Sequence, residues 1–200
     1  MNQQIELSHS LPCLTITESS DELVSLCKQV DDEIKPTGFI ERMYVEDVIA
    51  LTWDILRLRR CKTAIINGAF LAALQGILEQ LLCRQDYDPD SDFIYVHSRA
   101  AEDLARGWFE NKKAKRKVAT LLRNFGLDEG AIEAEAFRSR AEDLERFDRM
   151  LALAEVRRDK ALRSIADYRQ SLAEQIKQCT DQILENDEVP RLVAGHKRSD

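Results

Sequence analysis

Val48-Ile49-Ala50-Leu51-Thr52-Trp53-Asp54-Ile55-Leu56-Arg57-Leu58-Arg59-Arg60 decides what kind of fold this chain can have. At about 100° per residue, Val48, Leu51, Ile55 and Leu58 fall on one side of a helix, and Ile49, Trp53 and Leu56 on nearly the opposite side. A helix with a single partner needs one apolar stripe. Two stripes call for cover on both sides, one inside the monomer and the other from a second element or a second chain. Ile49, Trp53 and Leu56 are therefore expected to form a self-association surface, with Trp53 as its aromatic anchor.

Only Gly68 and Gly76 interrupt the helical pattern between Phe39 and Gln85. Such a helix is on the order of 70 Å long at a rise of ~1.5 Å per residue. Gly68, Ala72 and Gly76 recur every fourth residue. They form either a ridge that admits another helix closely or a soft point in the rod. The longest uncharged run, between Lys62 and Glu79, holds Asn67 and Gln75. It falls short of the ~20 apolar residues of a membrane span, and no membrane association is expected.

The rest of the composition agrees with long helices. Seven Gly, four Pro and 6% aromatic residues in 200 are too few for a β-sandwich, while 44% hydrophobic and 32% charged residues suit packed helices. The net charge of −7 argues against a general polyanion binder. Cys13, Cys27, Cys61, Cys83 and Cys179 are odd in number, widely spaced and without a CxxC pair. They fit reduced thiols in a cytoplasm. The opening Met1-Asn2-Gln3-Gln4-Ile5-Glu6 lacks a basic and apolar leader pattern.

Residues 1–18 read as a flexible arm. Ser19 through Glu22 matches a capping box, followed by a short helix showing Leu23, Leu26, Cys27, Val30 and Ile34 on one face and ended by Pro36-Thr37-Gly38. Asp86 through Asp92 reads as a solvated acidic loop. A calcium loop starting at Asp86 would have Ser91 where glycine belongs and His97 where glutamate belongs. A two-helix head is expected over about 97–127, as Ser98–Glu110 and Lys113–Asn124, closed by Gly126 as a left-handed cap. Asp128 then caps a second long helix running to near Glu185, and residues 186–200 read as a tail. Its seam is Leu144, Phe147, Leu151, Ala154, Arg158, Ala161, Ile165, Tyr168, Leu172, Ile176, Cys179 and Ile183, stepping by three and four with one extra four after Leu172.

The fold expected is all-α: a long antiparallel, coiled-coil-like hairpin over 19–185 with the head at its turn. If Leu82 lies near Ala131, Asp54 faces Arg158, the one charge inside an apolar seam. A contact between them is expected, or else a snorkelling arginine.

Chemistry-bearing patterns are sparse. His9, His97 and His196 do not follow a Glu by three, no Cys or His cluster has ligand spacing, and no glycine-rich phosphate loop occurs. No catalytic residue, cofactor or metal is therefore expected. One segment departs from the overall charge. From His97 to Asn124, eight basic residues against three acidic ones give +5, which leaves −12 on the remainder. Within it Lys112, Lys113, Lys115, Arg116 and Lys117 follow Trp108 and Phe109. They are candidate phosphate or nucleic-acid contacts, although Val118, Ala119, Leu121 and Leu122 also fit a docking head with solvated lysines.

Leu51 through Arg60 resembles a run in a group of uncharacterised bacterial proteins of similar size. Arg157-Arg158-Asp159-Lys160-Ala161-Leu162 with Tyr168-Arg169, and Asn124-Phe125-Gly126-Leu127-Asp128 with Glu133-Ala134-Glu135-Ala136, are similar to runs in it too. The resemblance spans about two thirds of the chain and implies a helical architecture and a bacterial cytoplasm, with no activity attached. The expected function is that of a non-enzymatic interaction or scaffold protein that self-associates through a long helix. The alternative is a nucleic-acid-associated accessory protein using the 112–117 run.

Overall fold

The computed structural model describes residues 12–85 and 94–188. Among the described residues it is all-helical: α1 (Ser20–Ile34), α2 (Phe39–Gln85), α3 (Ile94–Glu110), α4 (Lys112–Asn124), α5 (Glu129–Ser139) and α6 (Ala141–Glu188). The expected acidic loop Asp86–Asp92, the arm before residue 12 and the tail after residue 188 lie outside the described residues. The chain divides into two compact units. One takes in the chain through Ile55 and again from Leu153 onward, and the other is Leu56–Ala152.

In the first unit, Ser19 caps α1 by accepting the Glu22 N–H at 3.4 Å. The helix stops at Lys35, a left-handed residue with φ 50°, whose N–H donates to the Asp31 carbonyl at 2.8 Å. Its apolar face is the one read from sequence: Leu23 is buried, with Leu26, Cys27, Val30 and Ile34 packed around the same core. That core also takes Val45, Val48, Ile49 and Trp53 from α2 and Ala161 and Ile165 from α6.

This corrects the expected self-association surface. Ile49 is 3% and Trp53 1% exposed within the single chain, and only Leu56, at 40%, meets solvent. The second stripe of α2 is real, and the chain covers its Trp53 end itself. A helix tethered through residues 35–38 is held at an effective concentration that a second chain does not reach.

Glu41 is the one buried charged residue among the described residues, at 1% exposure. Arg169 of α6 donates from Nε to Glu41 Oε1 at 3.0 Å and from Nη2 to Oε2 at 3.1 Å, and Nη2 also reaches the Ile34 carbonyl at 2.7 Å. The Thr37 N–H donates to Oε2 from 2.9 Å. One guanidinium thus ties α6 to the end of α1 and the start of α2. Arg158 donates from Nε and Nη2 to Asp159 Oδ1 at 3.1 and 2.8 Å. Its side chain keeps 31% exposure, so the isolation that called for a partner at Asp54 is relieved on α6 itself. The expected seam of α6 is at least partly buried from Ala154 to Tyr168, whereas residues 169–185 are all exposed.

In the second unit, Ala69, Ala73, Leu74, Leu78 and Leu81 of α2 pack with Ala101 and Ala105 of α3, Val118 and Leu122 of α4, and Ile132 and Ala136 of α5. By length and hydropathy α2 is apolar enough to cross a membrane, and five of the eleven buried residues of this core come from it. The turn after α4 closes as a Schellman motif. Leu127 N–H donates to the Leu122 carbonyl at 2.9 Å and Gly126 N–H to the Arg123 carbonyl at 3.0 Å, with Gly126 at φ 73°. Asp128 Oδ1 accepts the Gly130 N–H at 2.9 Å and caps α5.

The second long helix begins at Ala141, not after Asp128. At the end of α5 the Ser139 hydroxyl bonds back to the Ala136 carbonyl at 2.9 Å, and Arg140 takes ψ 15° with its N–H turned to the Phe137 carbonyl. A serine competing for backbone acceptors ends α5 there. Of the two readings of Gly68 and Gly76, the ridge is not used by any neighbour within the chain, because a Cβ at either would meet nothing within 4 Å. Gly68→Ala and Gly76→Ala are accordingly expected to stabilise the chain by up to about 1 kcal/mol each. A raised urea midpoint confirms this, and a lowered one would reveal a neighbour against that face.

Candidate functional site

The basic segment is built on a tight helix–helix corner. Asn111 alone separates α3 from α4, and its Oδ1 accepts the Ala114 N–H at 2.7 Å as the N-cap of α4. The corner closes because residue 107 is glycine: a Cβ there would stand 3.0 Å from the Ala114 Cβ. Gly107→Val is expected to cost about 1–3 kcal/mol through overpacking. Thermal melting measures this, and an unchanged melting temperature would show that the corner has slack.

Burial of Val118 and Leu122 then fixes the rotation of α4. The apolar residues that obscured the sequence reading face inward. Outward, over an arc of roughly 140°, stand Lys112, Arg123, Arg116, Thr120, Lys113, Asn124 and Lys117, all exposed. The helix carries no acidic residue. Asn111 at its N-terminus is neutral, so its cations gather where a helix ordinarily favours negative charge. That arrangement is unfavourable for the isolated helix and favourable for one that meets an anion.

Lys115 does not share this face. Its ammonium sits 4.6 Å from the centre of the Trp108 ring and 3.8 Å from Glu129 Oε1. Such a contact is worth roughly 0.5–1 kcal/mol at an exposed site. Of the five expected contacts, Lys112, Lys113, Arg116 and Lys117 lie on the outer face, and Arg123 joins them from the end of the helix. The sequence signal that would have separated Lys115 from the others is its bearing, about 60° from Val118 and about 20° from Leu122 at ~100° per residue. Trp108 meets Phe109 edge to face at 4.8 Å, and Phe109 is 51% exposed. The buried Trp108 Nε1 has no hydrogen-bond partner among the described residues.

Groups suited to catalysis are sparse. Among the described residues no cluster of three or more His, Cys, Asp or Glu side chains could hold a metal ion. None of the five cysteines is in a disulfide. Burial, with the Asp31 charge, pushes the Cys27 thiol up, away from the thiolate a nucleophile requires. No protein-family model, curated protein or solved structure matches the chain.

Proposed function

We propose that this chain is a non-enzymatic helical interaction protein whose working surface is the outer face of α4, and that its ligand is the phosphate backbone of a nucleic acid. The observation that carries this reading is the composition of that face: Lys112, Lys113, Arg116, Lys117 and Arg123 with Thr120 and Asn124, and no carboxylate. A solvated surface helix ordinarily mixes both signs. The −12 borne by the rest of the chain disfavours any other approach of a polyanion, which orients binding to this one face. Lysines and arginines without an array of polar base-reading side chains favour backbone contact over sequence readout.

A reduced cytoplasmic setting suits thiols outside any disulfide, and two long helices doubling back as a hairpin suit two ties between α2 and α6. Those ties, Glu41 to Arg169 and Lys62 to Asp148, each sum to 210 in residue number, as an antiparallel pair requires.

Binding to duplex or single-stranded nucleic acid tests the proposal. The logarithm of affinity is expected to fall with the logarithm of salt concentration with a slope of roughly −4, as five phosphate contacts give. Neutralising Arg116 and Lys117 should flatten the slope by about two, whereas Lys115→Gln should leave it unchanged. Absence of any complex at low salt would overturn the proposal, as would binding indifferent to these substitutions.

A further inference from the structure

We infer that α4 enters the major groove of B-form duplex DNA and holds both of its walls, which rests on the reading of its outer face as a phosphate-binding surface.

At ~100° per residue the outer residues of α4 divide into two rows. Lys112, Arg116 and Arg123 lie within about 40° of one another, and so do Lys113, Lys117 and Asn124. The middles of the two rows are about 100° apart, with Thr120 between them. Each row runs from the first turn of α4 to its end, on the order of 17 Å. All these residues are exposed, and the buried Val118 and Leu122 keep both rows turned outward.

This pattern discriminates among nucleic acids by shape. A single strand presents one line of phosphates, which follows one row and leaves the other idle. It also calls for aromatic side chains on which bases stack, and neither row contains one. The exposed Phe109 belongs to α3, where its bearing is about 160° from that of Gly107, the residue packed against α4. Duplex RNA has a deep, narrow major groove closed to a helix. The major groove of B-form DNA is about 12 Å wide and admits one. A helix with its side chains is ~10–12 Å across, so points about 100° apart on its surface are roughly 8–9 Å apart. The flexible stems of lysine and arginine cover the remaining distance to the phosphates of each wall. Thr120 already donates its hydroxyl to the Arg116 carbonyl at 3.0 Å, which leaves little polar reach toward base edges between the rows. The result is a grip on the backbone from within the groove, tolerant of sequence.

Fluorescence anisotropy with labelled duplex DNA, duplex RNA of the same sequence and the corresponding single-stranded DNA, all at one salt concentration, tests the inference. The DNA duplex is expected to bind at least about tenfold more tightly than the other two. Guanine N7 opens into the major groove, so it should be protected from dimethyl sulfate in the bound duplex. Neutralising Lys112, Arg116 and Arg123 to Gln should flatten the salt slope by about three, and Lys113→Gln with Lys117→Gln by about two. Far-UV circular dichroism confirms that these exposed substitutions leave the helices intact. Equal affinity for the three nucleic acids, a reactive N7 in the bound duplex, or a DNA complex sensitive to one row alone would each overturn groove entry while the phosphate-binding face stands. No complex with any of the three would overturn that reading of α4, and groove entry with it.

Discussion

Trp53→Ala is expected to destabilise the chain by about 3–5 kcal/mol while leaving its oligomeric state unchanged. Trp53 is 1% exposed and shares its core with Leu23 of α1, Val45, Val48 and Ile49 of α2, and Ala161 and Ile165 of α6. Three helices meet there, so truncation leaves a cavity that none can collapse into alone. Leu56→Ala is the contrast. At 40% exposure Leu56 loses little burial, and the change should cost less than about 1 kcal/mol. Urea unfolding of both variants beside the wild type separates a core anchor from an interface anchor. An interface anchor would weaken association and spare the monomer.

Arg169→Ala is the second large effect, with an expected fall in melting temperature on the order of 10 °C at neutral pH. The substitution strands a carboxylate that is 1% exposed and releases the Ile34 carbonyl as well. The Arg169 hydrogen bonds first, then the Thr37 N–H, hold the Glu41 carboxyl down at about 2. A depressed folded-state value means that Glu41 stabilises the protein above the ordinary carboxylate range. The contribution fades as pH falls from about 4.5 toward about 2. The gap between wild type and Arg169→Ala should therefore narrow through that window, because a protonated Glu41 no longer needs the guanidinium. Melting curves taken from pH 7 down to pH 3 measure it. A gap independent of pH would show that Arg169 acts by packing alone.

Much of this architecture is legible in the residues. Ser19, Gly126 and Asp128 sit at the helix ends where backbone hydrogen-bonding needs put them. The face of α1 and the two stripes on α2 follow from a period of 3.6. What periodicity cannot express is which surface covers which. It showed that Trp53 needed cover and was silent on whether α1 or another chain supplied it. The Glu41–Arg169 tie joins residues 128 positions apart, and neither lies on the predicted seam. The break at Ser139 uses neither glycine nor proline, only a hydroxyl competing for an acceptor. At α4, phase alone separates outward cations from Lys115, and the rotation was undetermined until Val118 and Leu122 were found buried together. The open ground beside Gly68 and Gly76 shows that small residues at regular spacing need not admit a neighbour.

The most direct test of a Trp53 core closed within one chain uses the two tryptophans. Trp108→Phe removes a buried N–H that lacks a partner, so the change is tolerable and leaves Trp53 as sole emitter. Closure by α1 requires blue-shifted Trp53 emission, poorly quenched by iodide, and identical at every protein concentration down to the nanomolar range. Emission that shifts to the red and becomes quenchable on dilution would mean that a second chain covers Trp53 instead.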